Sequence, residues 1–150
     1  MTSMKREKQW LKKIEELDEA VSPFSNHLLR HILLPEILGE DENEILYWAG
    51  KSVARKLYDE MSEMDLTHFF QKANWGELTL IKEKKKELQF KLVAPHMIKE
   101  RPFTLECGFL AQWMEKEKGF ITEATYNVKK KDPCTILITV RWDIHDTADY

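Results

Sequence analysis

The sequence predicts an α+β domain with helices packed on a twisted antiparallel sheet. Three observations predict it. Apolar residues recur at spacings of three and four through the first half of the chain. The period changes to two at Leu78. The alternating runs then come as two hairpins with one helical stretch between them. A period near 3.6 marks one buried stripe of a helix, and a period of two marks one buried face of a strand. For the order helices, hairpin, helix, hairpin, the natural packing is an antiparallel sheet covered on one side.

Taken in order, Trp10, Ile14, Leu17 and Val21 form a thin apolar stripe on a charged amphipathic helix over residues 1–21. Ser22-Pro23 ends it. Ser25 is the expected N-cap of a second helix carrying Leu28, Leu29, Ile32, Leu33, Ile37 and Leu38. Pro35 should kink or split that helix, and Gly39 should stop it. Asp41 or Asn43 caps the next helix, with Ile45, Trp48, Ala49, Val53 and Leu57 as its expected buried face. The small residues Ala49, Gly50 and Ala54 would let another backbone approach closely there. A short helix near Asp65 to Ala73 carries Leu66, Phe69 and Phe70.

Leu78 and Leu80, then Leu88, Phe90 and Leu92, alternate on either side of a charged turn and read as the first hairpin. Thr104 is the expected N-cap of a helix running to Lys118, with Gly119 just past its end. In the second hairpin, Thr122, Ala124, Tyr126 and Val128 share one face of the first strand, Ile136, Ile138, Val140 and Trp142 share one face of the second, and Asp132-Pro133 marks the turn. Residues 143–150 read as a polar tail. Nothing resembles an interdomain linker, so 1–150 is read as a single domain.

A chain of 150 residues can bury roughly 70% of its unfolded surface and needs no disulfide or metal staple. Charged residues make up 33% and apolar ones 43%, a globular balance. A net charge of −3 argues against a nucleic-acid-binding protein, and no DNA partner is expected. The charged first twenty residues lack the apolar core of a signal peptide. No apolar run reaches the roughly 20 residues of a transmembrane segment. Two cysteines in separate elements suit free thiols in a reducing cytoplasm, the expected location.

Each candidate motif has a bland reading that competes with it. Ala49-Gly50-Lys51-Ser52 resembles the end of a phosphate-binding loop, but Ile45 stands where the first glycine belongs and the segment lies inside a helix. A close helix contact explains it. His27 and His31 have chelating spacing, yet no third ligand accompanies them, so no metal site is expected. Cys107 sits on an apolar helix without a base, where a cysteine behaves as a small buried hydrophobe. Glu106 suits a helix N-terminus without any catalytic role. No catalytic residue is assigned and no enzyme is expected. Lys84–Lys86 and Lys129–Lys131 would form a basic patch if both hairpin tips left the sheet at one edge; alternatively, they solubilise two turns. The aromatics remain. Trp48, Phe70, Trp75, Phe109 and Trp113 fall on helices or at their junction with the sheet, where they either fill a core or wall an apolar pocket.

The runs Leu33 to Arg55, Phe69 to Lys85 and Phe103 to Gly119 resemble the YslB family of small uncharacterised proteins from Bacillus-type bacteria, with similarity from about Asn26 to Trp142. That family looks like a distant relative of the 4-vinyl reductase domain, of transport protein particle subunits and of haem-based nitric oxide sensors. The resemblance implies helices on a twisted antiparallel sheet, an apolar cavity for a small molecule or acyl chain, and often a dimer through helices. The Tyr-x-Ser-x-Arg motif of the haem-binding relatives is absent, as are the Cys-rich sites of other relatives, so the resemblance carries over no cofactor. The expectation is a non-catalytic domain binding a small hydrophobic ligand. The alternative is a homodimer through the N-terminal helices without a ligand.

Overall fold

The computed structural model describes residues 22–61 and 65–148. The amphipathic helix expected over 1–21 lies outside the described residues. Helix α1 (Pro23–His27) runs directly into a π-helical turn (Leu28–Leu33) and helix α2 (Leu34–Leu38). A 3-10 turn (Gly39–Asp41) leads into the long α3 (Glu42–Met61), followed by α4 (Leu66–Lys72). The sheet is then laid down as β1 (Glu77–Lys84), β2 (Glu87–Val93), β3 (Phe120–Lys131) and β4 (Cys134–Thr147), with α5 (Thr104–Lys118) between the hairpins.

The four strands are antiparallel in the order β1-β2-β4-β3, so the two hairpins join through β2 and β4. This is the α+β arrangement expected. Leu88, Phe90 and Leu92 line up with Val140, Ile138 and Ile136 across that seam, and all are buried. Helix α5 lies on this face, and every residue from Glu106 to Glu115 is buried. It is buried all round because α3 packs over its other side. Gly50 and Gly108 permit that approach. A Cβ on Gly50 would stand 2.1 Å from the Leu105 carbonyl oxygen, and one on Gly108 would stand 2.0 Å from that of Tyr47. The Tyr47 hydroxyl in turn accepts the Ala124 N–H at 3.3 Å, tying α3 to β3.

Several expectations are corrected. The buried stripe of α3 is Leu46, Gly50, Ala54 and Met61, one position round from the stripe read in the sequence. Ile45 and Trp48 are exposed. The small residues set the contact face, because only they allow two helix backbones to touch. Helix α1 starts at Pro23, and the Ser22 side chain accepts the Phe24 N–H, so Ser22 is the cap in place of Ser25. Helix α5 is preceded by Phe103, and Thr104 is its first residue. Leu80 is exposed on the edge strand beside a register shift between Leu80 and Lys82. The last strand reaches Thr147, well into the stretch read as a polar tail, with Phe120 pairing Thr147. Pro35 does not split its helix: helical backbone runs on from Pro23 to Leu38, and Pro35 falls just after the π-helical turn gives way to α2.

Candidate functional site

Where α4 turns into β1, four of the five aromatic residues singled out in the sequence meet. The Asp65 carboxylate caps α4 by accepting the His68 N–H at 2.7 Å, which orients Phe69 and Phe70 toward α5. Asn74, at φ 60°, then reverses the chain and brings Trp75 back against the same helix. The Phe69 and Phe109 rings stack at 4.6 Å. Trp75 stands edge-on to Phe70 at 5.1 Å and to Phe109 at 5.2 Å. Phe109 in turn stacks on Trp113 at 5.5 Å. Each such pair adds about 0.5–1.5 kcal/mol beyond its buried area. Phe70, Phe109 and Trp113 are buried and close-packed. Trp48 stands apart, 61% exposed on the outer side of α3, with the Lys51 ammonium 5.5 Å from its ring centre.

Trp75 also belongs to a cleft. Its ring is only half-buried, and it lines an open cavity of about 270 Å³ between the α4–β1 turn and the loop after β2. Asn74 and Gly76 flank it on one side, and Ala94, His96 and Met97 line the other. A residue with a side chain could not replace Gly76: φ is 131°, and a Cβ would lie 2.4 Å from the Val93 carbonyl oxygen. The cleft therefore has an indole backed by the aromatic cluster, an apolar wall, and polar groups at its rim. A second cavity of about 300 Å³ lies along β3 and β4, lined by Glu123, Arg141, Asp143 and Asp146 among others. Ile121 and Trp142 also line it, but three carboxylates and a guanidinium share its walls.

Beside the cleft lies a buried ion pair. Arg30 is the buried residue of the π-helical turn. Its guanidinium donates to both oxygens of Glu106 at 3.0 and 2.8 Å, and to the Pro102 carbonyl at 3.4 Å. Arg101 donates to Glu42 and to the Arg30 carbonyl. Sequence reasoning did not identify this pair. The signal was a lone arginine in an apolar helix and a glutamate in an apolar run. Cys107, next to Glu106, is buried, and burial pushes its thiol far above the usual range. That makes it a poor nucleophile at neutral pH. The rings of His27 and His31 are 4.4 Å apart. Among the described residues no three His, Cys, Asp or Glu side chains gather into a set that could hold a metal ion. No described helix is long and apolar enough to cross a membrane.

Residues 23–141 match the family described as "Protein of unknown function (DUF2507)". The "Uncharacterized protein YslB" of Bacillus subtilis (strain 168) is 38% identical over 91% of both chains. Among solved structures, a vinyl-4-reductase family protein from Methanocaldococcus jannaschii is similar with a TM-score of 0.53, at 22% identity over 87% of this chain and 86% of that one. An oxygen-binding H-NOX domain related to soluble guanylate cyclases is similar with a TM-score of 0.54, at 12% identity over 95% of this chain and 87% of that one. Both likenesses are of fold.

Proposed function

This chain belongs to the DUF2507 family, and on that premise we propose that it is a non-catalytic domain that binds a small hydrophobic ligand in the cleft at Trp75. The observation that carries the reading is the double role of Trp75. One side of the indole is locked by Phe70 and Phe109, and the ring lines the open cleft. A rigid aromatic wall held by packing is what an apolar ligand group needs, because little ordering remains to be done on binding. Asn74, His96 and Gln71 supply hydrogen-bonding groups for one polar end. At about 270 Å³ the cleft suits a short acyl chain or a small ring system rather than a bulky cofactor. A fold shared with an oxygen-binding domain is compatible with this reading.

The reading assigns no acid–base or nucleophilic role to any residue, and it places the protein in the cytoplasm, where buried reduced thiols such as Cys107 and Cys134 are stable. Titration with the neutral fluorophore N-phenyl-1-naphthylamine tests it. Trp75→Ala should weaken binding by about tenfold or more, whereas Trp48→Ala should leave it unchanged. Equal binding by all three proteins would contradict the assignment.

One observation favours a second reading, a homodimer. Phe24, Leu28, Leu29, Ile32, Leu33 and Ile37 are all 43–67% exposed along residues 23–38. Two such faces together would supply on the order of 1,200 Å² of buried surface, the lower end of a stable interface. Sedimentation at increasing concentration separates the readings. A dimer that Leu33→Asp dissociates supports it, and a monomer at millimolar concentration contradicts it.

A further inference from the structure

Residues 23–38 are attached to the body in an unusual way. Six of their large apolar side chains are 43–67% exposed, Leu34 and Leu38 are half-buried, and the one fully buried side chain is that of Arg30. Arg30 reaches into the protein and closes the bidentate pair with Glu106, whose side chain is fully buried. Arg101 grips the Arg30 carbonyl from the other side. Two more contacts fall on the cleft itself. Asn26 donates to the Asn74 carbonyl at 3.4 Å, and the His31 ring Nε2 lies 3.4 Å from the His96 carbonyl. Asn74 and His96 line opposite sides of the cleft, so this one segment touches both of its lips.

The energetics of such an attachment are finely balanced. A buried ion pair gains Coulomb energy but loses two solvation shells, and the net is small even when the geometry is good. Leu34, Pro35 and Leu38 are half-buried, so the apolar part of the docking is gathered at the α2 end of the segment. His31 Nδ1 is buried without a hydrogen-bond partner, a cost that release would remove. Releasing residues 23–38 would rehydrate Arg30 and Glu106 while leaving the α3–α5 and sheet core closed. A segment held this way opens far below the cost of global unfolding.

We propose that residues 23–38 form a strap latched by Arg30 and Glu106 that holds the Asn74 and His96 lips of the open cleft in place, and that its release widens the mouth and speeds ligand entry. This rests on the cleft being the ligand site. The test combines hydrogen exchange with stopped-flow binding of N-phenyl-1-naphthylamine to the full chain. In the unaltered protein, exchange over 23–38 is expected to be faster than in α5 and to slow when the probe saturates the cleft. Glu106→Gln, which leaves the Arg30 charge buried without its counterion, should raise strap exchange and the probe association rate by about tenfold with α5 exchange unchanged, whereas the charge-free pair Arg30→Met with Glu106→Leu should leave both close to those of the unaltered protein. If both variants lose α5 protection, the slowing of strap exchange by the probe in the unaltered protein remains decisive. Exchange over 23–38 that is as slow as in α5, or that the probe does not slow, overturns the proposal. So does faster strap exchange with an unchanged association rate, and in that case the cleft reading survives. Probe binding that survives Trp75→Ala removes the cleft reading, and the strap proposal with it.

Discussion

His31 shows how one side chain reports the docking of a whole segment. Burial is the main cause that holds its pKa below the ordinary 6.5. The carbonyl of His96 acts in the opposite direction, and His27, Arg101 and Arg30 add like-charge repulsion. The folded state therefore binds fewer protons than the unfolded one as pH falls through about 6.5. Stability conferred by neutral His31 is fully present above that value and is lost as pH drops toward the lower folded pKa. Chemical denaturation at pH 7.5 and pH 5.5 should show this loss, and His31→Gln should reduce it. A slope unaffected by the substitution would place the effect elsewhere. The sequence singled out His27 and His31 by spacing alone, which is a helix property. That His31 abuts His96 depends on contact across 65 positions, which no local pattern encodes.

At the scale of elements, the contact between α3 and α5 is the joint on which the fold depends. The sequence marked Gly50 and Ala54 as a place for close approach, and that approach is present. The same stretch misled about which face is buried. Bulk hydrophobicity pointed to Ile45 and Trp48, while the geometry of two touching backbones required Gly50. Its counterpart Gly108 lies in a helix buried on every side, where no amphipathic period exists to show its orientation. Gly108→Ala sets a methyl group against the Tyr47 carbonyl, so it should destabilise the protein by about 3 kcal/mol. That lowers the melting temperature by roughly 6–12 °C for a domain of this size. Thermal unfolding followed by circular dichroism measures it, and a shift of only a degree or so would mean that the helices can part without penalty. By contrast, both hairpins were legible, because alternation with one buried face is a local signal. The segment 23–38 was legible as a helix but not in its orientation, since an apolar stripe normally points inward and here Arg30 does.

The whole molecule separates what composition suggests from what topology allows. The two lysine-rich tips could have formed one basic patch. The register excludes that: the β1–β2 tip lies at the end where Glu87 pairs Arg141, and the β3–β4 tip lies at the end where Val93 pairs Thr135. The tips sit about 20 Å apart along the strands. The aromatic set fared differently. Phe70, Trp75, Phe109 and Trp113 do converge, which their positions on separate predicted elements hinted at, but most of them fill the core. Only Trp75 of this set also reaches the cleft, because the left-handed Asn74 and Gly76 turn the chain there. Pocket and core are thus two sides of one cluster, a distinction that sequence periodicity cannot draw.

The most direct measurement of the central claim is the same fluorophore titration followed by NMR. The account predicts shifts that are largest at the Trp75 indole N–H and the amides of Asn74, Gly76, Ala94, His96 and Met97, saturating with a single dissociation constant. Shifts gathered instead along Leu28 to Ile37, or none at saturating probe, would contradict it.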